Sequence, residues 1–217
     1  MKIRRRASFC LLLQLLITLG EIRAIALSAG GYRAFVYAYY TWDSNLLLLL
    51  TAVLTAVSCV RILAGKSDAV PSPLRFLRYL STCCTALTFL VVLLILAPMI
   101  GPSGFSRLLL TGNLAYMHFI CPVLALISFL FAEDHRDLRF RHSLYAMIPT
   151  SLYAVVIITL NVTRTVRGPY PFLLVYEQPL YASLLWFVVV LGGAWLIVVL
   201  LSRIGRRAGK RQLPPDG

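Results

Sequence analysis

Apolar residues run through this chain in six long blocks. They occupy Ala7–Ser28, Tyr39–Leu63, Leu77–Ile100, Asn113–Ala132, Ser143–Asn161 and Leu180–Leu201. A helix needs about 20 mostly apolar residues to cross a bilayer's hydrocarbon core. Short connections rich in Gly, Pro, Ser and charge separate the blocks, most clearly "GKSDAVPSP", "GPSGF" and "RGPYPF". The pattern predicts an all-α, polytopic membrane protein: a six-helix transmembrane bundle over residues 1–205, then a disordered basic tail over 206–217. The first block is the least pure, interrupted by Glu21 and Arg23. Its "KIRRR" start and the later "AIA" (Ala24–Ala26) also fit a cleavable signal peptide, whose removal would leave five spans.

Composition agrees with the blocks. Hydrophobic residues make up 59% and charged residues 13%, against about 25% charged in soluble domains. The net charge of +13 raises the question of nucleic-acid binding. The placement of the charge answers it. Sixteen of the 21 Lys and Arg residues fall in the N-terminus, the second-to-third and fourth-to-fifth connections and the C-terminus; five, including Arg33, fall on the other side. That asymmetry is a positive-inside signal with both termini cytoplasmic. The expected location is the cell membrane and the expected partners are membrane lipids, with no nucleic acid.

The informative residues are the polar ones inside the blocks, because polar groups at membrane depth are costly and face the bundle interior. In the second block Thr41, Ser44, Asn45, Thr51, Thr55 and Ser58 fall within an arc of about 140° on a helix. Thr51, Thr55 and Ser58 read as helix–helix packing contacts. Thr41, Ser44 and Asn45 crowd together at the outer end, beside Asp43. His118 enters the fourth block from the same side, about 8 Å deep, and Thr41 sits about 3 Å into the second. Glu21 lies toward the outer end of the first. A hydroxyl, an imidazole and a carboxylate therefore share one leaflet. Pro122, four residues after His118, has no N–H for the His118 carbonyl, which predicts a kinked helix lining a wet cavity.

Other polar features carry less. Cys10, Cys59, Cys83, Cys84 and Cys121 all lie in the blocks without a C-x-x-C pair, so they read as small apolar packers rather than zinc or redox ligands. His135 and His142 sit in a mixed-charge connection and read as solvated. "NVT" at Asn161 fits a glycosylation acceptor, a common pattern. No cofactor is expected: the chain has no P-loop, dinucleotide fingerprint, G-x-S-x-G elbow or H-E-x-x-H.

The segments "YYTWDSNLLLLL", "NLAYMHFICPVLAL", "MIPTSLYAVVI" and "GPYPFLLV" follow one another in order. They resemble the androgen-induced membrane hydrolase family (androgen-dependent TFPI-regulating protein-like) and its bacterial integral-membrane relatives. The resemblance implies an intramembrane hydrolase of fatty acid esters of hydroxy fatty acids. It also implies a catalytic pair of Thr41 as nucleophile and His118, in "HFICP", as base. Such a pair makes chemical sense, since a Thr hydroxyl needs an adjacent base and a neutral imidazole supplies one. Ser44, one turn along, competes as nucleophile. Glu21 or Asp43 could orient the imidazole, with Asn45 as a further supporting residue. The alternative is a non-catalytic lipid-binding or transport protein using the same polar cavity. A third reading is a structural protein in which the cluster only aligns helices.

Overall fold

The computed structural model describes residues 2–28 and 34–210. Six helices in it are long and apolar enough to cross a membrane: α1 (Lys2–Ser28), α2 (Tyr40–Leu63), α3 (Ser72–Ile100), α4 (Gly112–Ala132), α5 (Arg141–Val162) and α6 (Leu180–Lys210). Among the described residues there are no strands. The chain is a multi-pass helical protein of the kind its apolar blocks predict. Three ends need adjusting. α1 already begins at Lys2, ahead of Ala7. α3 starts at Ser72, with Pro73 in its first turn, where a missing N–H costs nothing. α6 continues through the first residues of the expected tail as far as Lys210; residues 211–217, like Arg33, lie outside the described residues.

Burial departs from that of a soluble protein in how many large apolar side chains face outward and how many polar ones face inward. Leu12, Leu16, Leu19, Leu50, Val57, Leu184 and Val188 are exposed, while Gln14, Glu21, Asn45, Thr51, Arg78, Ser81 and Thr85 are buried. Lipid tails are as apolar as Leu, so a Leu loses little by facing outward, whereas a polar group can find a partner only inside the bundle. α2 and α3 meet along such a polar seam. Ser44 Oγ lies 3.0 Å from Thr88 Oγ1, and Thr51 Oγ1 lies 3.0 Å from Ser81 Oγ. Thr55 and Ser58 return their hydroxyls to the carbonyls of Thr51 and Leu54. α1 approaches α4 closely at Gly20, where a Cβ would stand 2.7 Å from Cys121 Sγ.

Two prolines leave the same mark. α3 passes through a π-helical turn at Val92–Leu96, two residues before Pro98, and α4 through one at Tyr116–Ile120, two residues before Pro122. In α4 the Cys121 N–H bonds to the Tyr116 carbonyl, five residues back. One extra residue per turn re-registers the ladder where proline cannot donate. Pro122 thus acts on His118 through a π turn, which rotates the ring position relative to the α4 residues that follow.

The end of the bundle carrying the α1–α2, α3–α4 and α5–α6 connections is called the upper end. The lower end is closed by charge. Arg78, in α3, is buried, and its Nε and Nη2 lie 3.1 and 2.8 Å from Glu133 Oε1. Ser128 and Gln14 donate to the same oxygen. Burial works against the Glu133 charge, but Arg78 and the Ser128 hydroxyl hold its carboxyl below the usual range. Arg75 pairs with Asp134 and Asp137. Arg78 is therefore part of an interior ion pair, and fifteen rather than sixteen basic residues remain for the positive-inside asymmetry.

His135 corrects a sequence expectation: it is buried, not solvated. Its Nε2–H donates to the Phe129 carbonyl at 2.5 Å, and burial pushes its imidazole below the ordinary histidine value. His142 is partly exposed; its Nδ1 accepts the Arg139 N–H at 3.1 Å, and its ring lies 5.2 Å from Phe76.

Candidate functional site

Thr41 sits in the first turn of α2, after Tyr39 at the N-cap. Only this turn leaves backbone N–H groups without intrahelical partners. Tyr40 and Tyr153 anchor it: the Tyr40 hydroxyl lies 2.7 Å from Thr150 Oγ1 on α5, and the Tyr153 hydroxyl donates to the Ala38 carbonyl at 2.8 Å. Asn45 sets the other side. Its Nδ2 reaches the Thr41 carbonyl at 2.7 Å and the Met117 carbonyl of α4 at 3.2 Å. The amide thereby ties α2 to α4 immediately beside His118.

This brings Thr41 Oγ1 to 3.4 Å from His118 Nε2, with both residues buried. The other ring nitrogen, Nδ1, is 3.0 Å from the Leu108 carbonyl in the short helix Gly104–Leu109. A carbonyl only accepts, so Nδ1 carries the proton and Nε2 presents its lone pair to Thr41. The Tyr170 hydroxyl approaches Thr41 from another direction, 3.4 Å from Oγ1 and 3.4 Å from the backbone N. Burial raises the Tyr170 phenol to about 12.

The other sequence candidates fall around this pair. Ser44 is buried, and its hydroxyl is taken by the Thr41 carbonyl at 3.1 Å and by Thr88. Asp43 is exposed and does not approach His118. Its charge in the first turn of α2 is favourable to the helix dipole. Glu21 is buried on α1 beside Cys121, with Oε1 lacking a hydrogen-bond partner. Neither carboxylate orients the imidazole; the Leu108 carbonyl does. Sequence inspection missed both Leu108 and Tyr170. A backbone carbonyl leaves no sequence signal. Tyr170 stood in the quoted "GPYPF" break, and a tyrosine between two prolines in a short upper connection was the available clue.

A cavity of about 480 Å³ lies between α2, α3, α5 and α6, roofed by the 170–175 segment. Thr41, Thr88 and Tyr170 line one part of it, and most of its remaining wall is apolar, including Leu87, Val91, Tyr153, Phe172 and Trp186. The space is thus on the α3/α5/α6 side of Thr41, not along α4, and it is an apolar chamber with a hydroxyl rim rather than a wet channel. His118 stands behind Thr41, outside the wall. Leu180, Leu184 and Val162 line the cavity and are also exposed, so it reaches the outer face of the bundle where α5 ends and α6 begins.

The roof is held by Asn161. Its Nδ2 donates to the Val166 carbonyl at 3.2 Å, and its Oδ1 accepts the Val175 N–H at 3.2 Å. Asn161 is buried, so the "NVT" reading as a glycan acceptor does not suit this fold. Gly168 is required below the roof, because a Cβ there would stand 2.6 Å from the Leu173 carbonyl oxygen.

All five cysteines are free and buried, and no group of His, Cys, Asp or Glu among the described residues is arranged to hold a metal. No family model, curated protein or solved structure matches the chain.

Proposed function

We propose that this protein is an integral-membrane ester hydrolase acting on lipid esters, with Thr41 as nucleophile and His118 as general base. One observation carries the reading. A single hydroxyl, Thr41 Oγ1, faces the lone pair of a tautomer-fixed imidazole and also lines an apolar cavity that reaches the bundle's lipid-facing side. The resemblance to the androgen-induced membrane hydrolase family supports the same pair. The setting proposed is the cell membrane, with both termini cytoplasmic and the upper end outward, on the distribution of basic residues.

The chemistry runs as acyl transfer. The acyl chain lies in the cavity with its carbonyl at the hydroxyl rim. His118 Nε2 takes the Thr41 proton as Oγ1 bonds to the carbonyl carbon. The tetrahedral intermediate collapses by breaking the ester C–O bond, and the leaving alkoxide takes the proton from His118. Water then adds to the acyl-threonine with His118 again as base, which releases the acid and restores the hydroxyl. The 3.4 Å separation is long for a hydrogen bond, and catalytic hydrogen bonds of this kind tighten in the complex with substrate.

A purified preparation assayed against a panel of lipid esters tests this. Thr41→Ala and His118→Ala should each abolish turnover, and the double variant should be scarcely worse than either, since the two act as a unit. A fluorophosphonate probe should label wild type at Thr41 and leave Thr41→Ala unlabelled. Full turnover in both single variants would defeat the reading, as would failure of wild type to turn over any ester.

A second reading rests on the largely apolar wall of the cavity: a lipid carrier that binds an acyl chain without chemistry. It predicts that lipid co-purifies with wild type and Thr41→Ala alike, with no ester cleaved.

A further inference from the structure

The hydrogen bonds around Thr41 form a directed chain when each donor is assigned. His118 Nδ1–H donates to Leu108, and His118 Nε2 accepts the Thr41 hydroxyl proton. Thr41 Oγ1 then has its lone pairs free for the Tyr170 O–H, and the Tyr170 oxygen accepts the Thr41 N–H. The Thr41 N–H thus donates to the Tyr170 oxygen and the Tyr170 O–H to Thr41 Oγ1, both over long 3.4 Å separations. Each is a donor beside the nucleophile, and each is released when a carbonyl oxygen enters between them.

We propose that the Thr41 backbone N–H and the Tyr170 hydroxyl form the oxyanion hole of this site. The inference rests on the hydrolase reading and adds a catalytic residue to it. The two donors differ in origin but meet at one place. The amide belongs to the first turn of the 24-residue helix α2, where the N–H is unclaimed by the helix and the dipole favours negative charge. The phenol comes from the roof segment. Tyr170 is rigidly seated: its ring stacks on Phe172 at 5.2 Å and 13° and meets Tyr39 edge-on at 5.8 Å and 88°. Its high-lying phenol stays protonated across the working pH range and so remains a donor. The surrounding wall is apolar, where a fixed donor to a developing oxyanion is worth more than in water.

In the addition step the carbonyl C=O π bond breaks as the Oγ1–C bond forms, and the electron pair moves to oxygen. That oxyanion takes hydrogen bonds from Tyr170 O–H and Thr41 N–H, while the Thr41 proton resides on His118 Nε2. On collapse the pair returns to the carbonyl and the alkoxide leaves with the His118 proton. Tyr170 transfers no proton in either direction.

Tyr170→Phe removes only the donor and keeps the ring for its two aromatic contacts. The expected result is a fall in kcat on the order of 10²–10³, the usual loss for one oxyanion-hole donor, with KM near wild type. A merely structural role in seating the roof would instead raise KM. A second measurement does not depend on the variant's folding: the rate ratio between a p-nitrophenyl alkanoate and its thionoester. Sulfur accepts these hydrogen bonds poorly, so wild type should prefer the ester strongly, and Tyr170→Phe should bring the ratio toward that of hydroxide in solution. Wild type showing the solution ratio would overturn the inference. So would Tyr170→Phe keeping wild-type kcat while Thr41→Ala is inactive. If Thr41→Ala is itself active, the hydrolase reading fails first, and that outcome is distinct from a failure of Tyr170 alone.

Discussion

His118 Nδ1 lies 3.0 Å from the carbonyl oxygen of Leu108, ten residues earlier in the chain. One ring nitrogen is thus tied to the backbone, which leaves the other for the proposed chemistry. His118→Asn places an amide N–H near the Nδ1 position and should keep the bond to Leu108. His118→Ala leaves that carbonyl without its donor and should cost about 1–3 kcal/mol. Thermal unfolding in detergent should rank wild type and His118→Asn together, above His118→Ala. Both variants should be inactive. Equal destabilisation of the two would remove the structural half of this assignment.

Ser44 is the rival hydroxyl one turn along, and its hydrogen bonds set it apart from Thr41. Its Oγ is committed to the Thr41 carbonyl at 3.1 Å and to Thr88 at 3.0 Å across the helix interface. Ser44→Ala should lower ester turnover by less than tenfold, while Thr41→Ala abolishes it and Thr41→Ser, which keeps the hydroxyl, retains part. The reverse ranking in kcat would transfer the nucleophile to Ser44.

The Arg78–Glu133 pair closes the lower end with both side chains buried. Breaking such a pair from one side leaves an uncompensated interior charge and costs about 3–5 kcal/mol. Arg78→Met or Glu133→Gln alone should each lower the unfolding midpoint sharply, and the double variant should recover much of the loss. A double variant as unstable as the sum of the singles would show that the two side chains act independently.

The same end should be sensitive to acid in two stages. His135 has its pKa lowered by burial, so the unfolded chain takes up its proton first. Its contribution is complete at neutral pH and declines as pH falls below about 6.5. Glu133 is held low chiefly by Arg78, against its burial. Its contribution is complete above the ordinary Glu value and is lost as pH falls below about 4.3. Each group changes stability by up to about 1.4 kcal/mol per pH unit. Unfolding midpoints measured from pH 8 to pH 2 should show both declines. His135→Gln, whose amide can still donate to the Phe129 carbonyl, should flatten the first and leave the second.

Topology is the remaining test. Reporter fusions at Gly104 and Gly168 should report the outside, and those at Ser67 and Arg136 the inside. A fusion at Gly31, which lies outside the described residues, is expected with the first pair. An outside signal from Ser67 or Arg136 would reverse the orientation drawn from the basic residues and would place Thr41 toward the opposite leaflet.

The six helices were legible in the chain because spanning is a local property. Twenty consecutive residues such as Asn113–Ala132 meet or fail the cost of entering hydrocarbon without reference to the rest of the fold. The polar face of α2 was legible for the same reason, since helical geometry alone places Thr41, Ser44 and Asn45 on one side. Depth from the membrane surface put Thr41 and His118 in one leaflet. Their contact, though, depends on how α2 and α4 are rotated against each other, which Asn45 and the π turn before Pro122 set together. Tertiary structure alone decided the rest. It assigned the imidazole's orienting partner to the Leu108 carbonyl instead of Glu21 or Asp43, brought Tyr170 across 129 positions to Thr41, and buried Arg78 and His135. It also opened the cavity toward α3, α5 and α6. Sequence periodicity says which face of a helix is polar. Which neighbour that face meets depends on packing among all six helices, because in lipid a polar group's partner is whatever donor or acceptor the assembled bundle brings within reach.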